Sequence, residues 1–220
     1  MMHCVAATRG VPPAAPGTRC RQARSGVRQR SGGARPSVKP MINRQLQCIF
    51  IHQRKCAGMA VIATFGLRPD DPDYHYMNDG VLSPEYARRP ADYFIFSVVR
   101  NPWDRFVSGW KYCASTRLRT LRDVLLDPPQ TGHDYRHVTR PQVDILFDAQ
   151  GRPVPHFLMR YESIQRDFDT VCDRLAKARV TLPRINVGSR LEYRSYFDDE
   201  SRALFEQRFA RDIAAFGHCY

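Results

Sequence analysis

Two basic residues, Lys55 and Arg100, each stand in a turn that directly follows an apolar run, and they are where chemistry can be built. Residues 48–60 read C-I-F-I-H-Q-R-K-C-A-G-M-A. Cys48, Ile49, Phe50 and Ile51 form a short apolar run of the kind that is buried on both faces of a sheet. The run breaks at His52, Gln53, Arg54 and Lys55 and passes through the small residues Cys56, Ala57 and Gly58. It turns apolar again from Met59 to Phe65, which suits the first turns of a buried helix. The first N–H groups of a helix have no partner within it, and the helix dipole favours negative charge there. The amides of Cys56, Ala57, Gly58, Met59 and Ala60 are therefore candidate donors to an anion, with Lys55 supplying a full positive charge at the mouth. This is not the phosphate loop of nucleotide hydrolases, which needs G-x-x-x-x-G-K-[S/T]. Here the lysine precedes the only glycine, and no Ser or Thr follows it to hold magnesium. Many strand–turn–helix units with a lysine in the turn bind nothing, so this stretch alone leaves both readings open.

Residues 93–110 read Y-F-I-F-S-V-V-R-N-P-W-D-R-F-V-S-G-W and change that balance. Tyr93 to Val99 is a second buried strand, and Arg100 ends it. Asn101 is a good N-cap, Pro102 fits the first helical position and Asp104 lies where the dipole favours an acid. Trp103, Phe106, Val107 and Trp110 then fall at i, i+3, i+4 and i+7, one apolar face for a core. Ser108 shares a side of the helix with Asn101 and Asp104, so it can face the crevice beyond the strand ends, where ligands of open α/β sheets sit.

Together the two stretches resemble the sulfotransferases that use 3′-phosphoadenosine 5′-phosphosulfate (PAPS), and in particular the carbohydrate-sulfotransferase-like branch. That family's first motif is close to F-I-H-I-P-K-T-G-G-T-S and its second to F-V-R-N-P-[WY]-D-R-x-V-S. This chain has F-I-H-Q-R-K-C-A-G-M-A and S-V-V-R-N-P-W-D-R-F-V-S. The first motif departs at Arg54, in the proline's place, and at Met59 and Ala60, where the family has the hydroxyl pair that helps bind the 5′-phosphosulfate. The resemblance extends through residues 140–151, 157–162 and 193–200, and so covers about residues 45–220. It implies a single α/β domain with a central, mainly parallel sheet flanked by helices, a P-loop-like nucleotide-binding fold. It also implies a donor, PAPS, with no metal, and a hydroxylated acceptor such as a sugar. Lys55 would serve the leaving phosphate. Cys56 to Ala60 would hold the phosphosulfate through their amides, and Arg100 and Ser108 would hold the 3′-phosphate. In the family a histidine commonly stands between the two motifs and in some members is the general base; His75 holds that place here. A late loop closes over the nucleotide in related enzymes, which makes Arg190 a candidate second phosphate contact.

The rest of the chain bounds these expectations. A length of 220 residues suits one domain with a substantial core, and no apolar run approaches the length that crosses a bilayer. Net charge is +12, yet residues 1–40 alone hold eight Arg or Lys and no acid, leaving +4 for residues 41–220. Rich in Arg, Gly, Pro, Ala and Ser, that tail is expected to be disordered. It reads as an organellar leader, as a basic arm for anionic partners, or as an extension upstream of a domain beginning near Met41; the last is preferred. The seven cysteines show no C-x-x-C spacing, which points to buried thiols in a reducing compartment, the cytoplasm, rather than to disulfides or zinc. Cys56 could be a nucleophile, or simply a small loop residue.

Further along, a helix is expected over residues 121–126, opened by Thr120 with Asp123. Residues 130–140 read as a polar loop over the acceptor cleft, carrying His133, Arg136 and His137. Residues 143–147 and 154–161 read as a hairpin about the turn 148–151, with Arg160 and Glu162 either pairing with each other or lining the cleft. Ser163 and Asp198 are expected to cap two further amphipathic helices. Two rival functions remain: a nucleotide-binding module of this fold that has lost transfer activity, prompted by Met59 and Ala60, and a basic nucleic-acid binder, prompted by the charge. Loops set the acceptor, and the sequence does not name it.

Overall fold

The apolar runs become the middle of a four-stranded sheet. β1 (Met41–Asn43), β2 (Cys48–Ile51), β3 (Phe94–Val99) and β4 (Phe157–Arg160) lie side by side in that order. β1 is antiparallel to β2, whereas β2, β3 and β4 are mutually parallel, with Ile51 opposite Ser97 and Val99 opposite Arg160. The computed structural model describes residues 41–43, 45–65, 93–185 and 191–220. All of these fall within one compact unit, Ala34–Tyr220.

Because strand side chains alternate, each parallel strand feeds two cores. Cys48, Phe50, Phe96, Val98 and Met159 point to one face, where they pack on Val61 and Ile62 of α1 (Gly58–Thr64) and on Phe168 and Val171 of α6 (Ile164–Arg174). Ile49, Ile51 and Val99 point to the other, against Val143 and Leu146 of α5 (Val143–Leu146) and Phe216 of α7 (Asp199–Phe216). A third core forms beside the sheet. There Trp103, Phe106, Val107 and Trp110 of α2 (Pro102–Tyr112) meet α3 (Leu121–Leu126) and Phe205 and Phe209 of α7. The expected α/β architecture is therefore the one observed. Among the described residues no helix is long and apolar enough to cross a membrane.

The helix ends follow their local chemistry. The Asn101 side chain accepts from the amides of Trp103 and Asp104, and the Thr120 hydroxyl accepts from Asp123. Asp198 and Ser201 cap each other's backbone in a full capping box. Ser163 sits at the start of α6, but its hydroxyl donates to the Asp167 carboxylate (3.0 Å) instead of capping the helix. Arg160 and Glu162 do not pair with each other. Arg160 donates to the Phe216 carbonyl (2.7 Å), and Glu162 accepts from the Asn101 amide (2.6 Å), so each ties the sheet to a helix end.

Two segments depart from the sequence reading. Residues 130–140 are not a loop: α4 (Gly132–Asp134) runs into a π-helical turn, Tyr135–Thr139, with His137 and Arg140 buried. Residues 143–147 are not a hairpin arm but the short helix α5. The turn itself is real, closed by the Gly151 amide on the Asp148 carbonyl (3.0 Å) and by a single bridge between Phe147 and Pro153. The helix wins over a strand because Asp212 of α7 accepts from the amides of Gln142 (2.8 Å) and Val143 (2.9 Å) and so caps α5 from outside. Burial pushes the Asp212 carboxyl up, and the two amide donors oppose that rise. Asp212→Ala leaves two buried donors without a partner and is expected to lower unfolding free energy by about 3 kcal/mol in urea titration. A loss under about 1 kcal/mol would show that the cap does not hold α5.

Candidate functional site

β2 and β3 are parallel neighbours, so their carboxyl ends open on the same crevice. The chain leaving β2 turns sharply: Lys55 and Ala57 both adopt left-handed backbone (φ 66° and 57°), a conformation that raises energy for residues with a Cβ and persists only where the surroundings hold it. They are held from three sides. Arg105, buried on α2, donates to the Arg54 carbonyl (3.1 Å) and the Arg140 carbonyl (3.0 Å). Arg100 donates to the Lys55 carbonyl (2.7 Å). The buried His52 ring covers the start of α1 so closely that a Cβ at Gly58 would lie 2.0 Å from its Cδ2 atom. A side chain at position 58 would therefore have to push that ring aside.

A second clamp crosses the crevice. Gln142, fully buried just before α5, accepts from the Arg100 amide (3.0 Å) and donates to the Arg100 carbonyl (2.9 Å). The same side chain accepts from the Cys56 thiol (3.6 Å), and the Gln142 carbonyl accepts from the Gln53 side chain (3.1 Å). Gln142 thus ties the turn after β2 to the turn after β3. Sequence reasoning missed it, because a lone glutamine before an apolar run carries no pattern.

The cleft bounded by these clamps is lined by Lys55, Ala57, Gly58, Met59, Arg100 and Ser108, and also by His52, Arg54, Tyr112, His137, Tyr161 and Ile185. Lys55 and Arg100, inferred from separate motifs, therefore share one cavity. The side chains of Cys56 and Ala60 are buried away from it, and the Ala60 amide donates to the Ala57 carbonyl (2.9 Å). His75 and Arg190 lie outside the described residues. No carboxylate lines the cleft among the described residues.

The charges of the cleft are placed, not loose. The Arg100 guanidinium is buried, ion-paired with Asp104 (2.6 Å) and laid over the Tyr161 ring at 3.9 Å. The Lys55 ammonium lies 3.8 Å from the centre of the Tyr112 ring, a cation–π contact. α1 has only seven residues, so its dipole is a small addition to these full charges. Burial pushes the Cys56 thiol up to about 11. A thiol that stays protonated and points away from the cleft is a packing group and not a nucleophile. Burial likewise takes His137 down to about 4, its Nδ1–H donating to the His133 carbonyl (2.9 Å). Neither Tyr112 nor Tyr161 was visible as a site residue, since each reads as an ordinary aromatic near a strand or helix end.

What this arrangement can do is grip an anion with two fixed cations, a hydroxyl and the amides of a tight turn, in a cavity with aromatic walls. A family model described as the sulfotransferase family matches residues 71–218, about two thirds of the chain. The match takes in β3, Arg100 and Ser108 and begins after the Lys55 turn. No curated protein and no solved structure matches the chain.

Burial also makes the turn sensitive to acid. The buried His52 is held down to about 3, chiefly by desolvation, with repulsion from Arg54 and His137 adding to it. The unfolded chain takes up a proton near pH 6.5 and the folded one does not, so this group removes stability as pH falls below about 6.5. Between pH 7 and 5 its share is about 2 kcal/mol at ~1.4 kcal/mol per pH unit. Unfolding free energies of the protein and of His52→Gln at both pH values should differ in slope by that amount; equal slopes would mean that His52 is solvated.

Proposed function

The chain belongs to the sulfotransferase family, and on that premise we propose that it moves the sulfuryl group of PAPS to a hydroxyl of a carbohydrate or glycoconjugate. The observation that carries this reading is the convergence of Lys55, Arg100 and Ser108 on one cleft at the ends of adjacent parallel strands. The acceptor class rests on the resemblance of the two motifs to the carbohydrate branch. Residues 41–220 would be the transfer domain and residues 1–40 a basic extension. Five described cysteines are unbridged, which supports work in a reducing compartment such as the cytoplasm.

In this reading the sulfur–oxygen bond to the 5′-phosphate breaks as a new bond forms from sulfur to the acceptor oxygen. Negative charge grows on the leaving phosphate, so preplaced cations and N–H dipoles do most of the catalytic work. Lys55 leaves the Tyr112 face to meet the bridging oxygen, and the amides of the turn hold the phosphosulfate. Arg100 and Ser108 take the 3′-phosphate, the group that separates PAPS from ATP, with Arg190 as a second contact. The acceptor proton goes to a base. His137 lines the cleft, but an imidazole held near 4 is a weak base, and the role is assigned to His75. No step calls for a metal.

Lys55→Ala should cut transfer on the order of 100-fold or more while leaving the fold intact by circular dichroism. Near-normal turnover would remove the central assignment. Arg100→Ala should weaken binding of 3′,5′-diphosphoadenosine about tenfold or more in calorimetry, as expected for a lost charge-assisted contact. Unchanged affinity would place the 3′-phosphate elsewhere. A panel of sugar acceptors with labelled PAPS tests the acceptor class. Met59, which lines the cleft where a hydroxyl would help hold the donor, favours one second reading, a module that binds the nucleotide without transfer. Diphosphate binding with no transfer to any acceptor would select it.

A further inference from the structure

A second constellation adjoins the cleft at Tyr112 and shares His137 with it. α2 ends at Cys113, whose amide closes on the Gly109 carbonyl (3.0 Å). The turn Tyr135–Thr139 packs on this end of α2, and only glycine permits the approach: a Cβ on Gly109 would stand 2.2 Å from the His137 carbonyl oxygen. The result brings Cys113, His133 and His137 together, with one ligand atom of each within 4.8 Å of the others. Cys113 Sγ lies 3.8 Å from His133 Nδ1, and the two imidazoles stack with centres 4.0 Å apart. Their H-x-x-x-H spacing on one helical run puts both rings on one face, a recurrent arrangement for metal ligands.

We propose that Cys113, His133 and His137 form a binding site for a divalent cation of the zinc class. A thiolate and two imidazoles are the donor set such ions select. Bonds of ~2.0–2.1 Å to nitrogen and ~2.3 Å to sulfur require tetrahedral donor atoms about 3.5 Å apart. The sulfur–Nδ1 distance of 3.8 Å is already close to that, and His133, the exposed member of the three, is the one able to rotate inward. His137 is pre-oriented. Its Nδ1–H donates to the His133 carbonyl (2.9 Å), the outer-sphere bond that metal-binding imidazoles commonly make, and this leaves the Nε2 lone pair as donor. Without metal, His133 Nδ1–H donates to the Asp134 carboxylate (2.9 Å), which also accepts from the Ser115 hydroxyl. On binding, the imidazole moves its proton to Nε2 and turns Nδ1 to the cation, and the carboxylate stays as negative charge at the rim. Binding releases the Cys113 thiol proton to solvent, so affinity rises with pH. The site shares a wall with the cleft, because the Tyr112 ring stacks on His137 with centres 5.3 Å apart while it carries the Lys55 ammonium.

The full chain, kept reduced, is titrated with Co²⁺ and followed by absorbance, a readout in which sulfuryl transfer plays no part. A thiolate-to-cobalt charge-transfer band together with tetrahedral ligand-field bands, saturating at one equivalent and displaced by Zn²⁺, is the expected result. Cys113→Ser should abolish the charge-transfer band. His133→Ala, at an exposed position that leaves the fold alone, should weaken Co²⁺ affinity on the order of tenfold or more. A wild-type titration without that band, or a band that persists unchanged in both variants, overturns the assignment.

Discussion

The spacing between the two strand ends depends on one buried primary amide. Gln142 exchanges two hydrogen bonds with the backbone of Arg100, accepts a third from Cys56, and is itself held through its own amide by Asp212. Four segments distant in sequence therefore meet at a residue with no exposure to water. Each such bond contributes only about 1 kcal/mol net, but leaving any partner unsatisfied in this interior costs more than the bond gives. The network therefore behaves as a unit. If the glutamine were displaced, the turn carrying Lys55 and the turn carrying Arg100 would lose their shared partner and lean on the bond from Arg100 to the Lys55 carbonyl (2.7 Å).

The electrostatics of the cleft follow from the same economy. Arg54, Lys55 and Arg100 all reach one cavity that has no acidic lining residue among those described, and Asp104 stands behind Arg100 as its ion-pair partner. Arg105 and Arg100 hold the turn by donating to its carbonyls, so positive groups serve here as structural donors. Cations and donors fixed in place beforehand let a site gain affinity for an anion without induced movement. The left-handed residues at 55 and 57 belong to this account, for the strain they carry is what aims the turn into the crevice.

Sequence made the strands and the α2 helix plain, because Cys48 to Ile51 and Phe94 to Val99 are unbroken apolar runs and the stripe of Trp103, Phe106, Val107 and Trp110 has a clean helical period. The loop after β2 was legible through its small residues and its lysine. Val143 to Leu146 was not, since four apolar residues fit a strand or a helix equally and the choice fell to Asp212, far along the chain. Residues 130–140 misled for a related reason: their histidines and arginines look solvated, yet Gly109 lets the segment press against α2 and bury His137 and Arg140. Gln142 and the aromatic partners Tyr112 and Tyr161 escaped notice because their roles arise only from tertiary proximity.

The ammonium of Lys55 resting on the Tyr112 ring has a kinetic meaning. A cation–π contact of this kind is worth about 1 kcal/mol, and an anion that draws the ammonium to itself must displace it. The penalty falls alike on every anion that recruits the lysine, so it cannot help the site choose between two of them. It instead lowers both affinities by roughly fivefold, a factor set by ~1 kcal/mol at room temperature. The tyrosine thereby trades tightness of capture for ease of release.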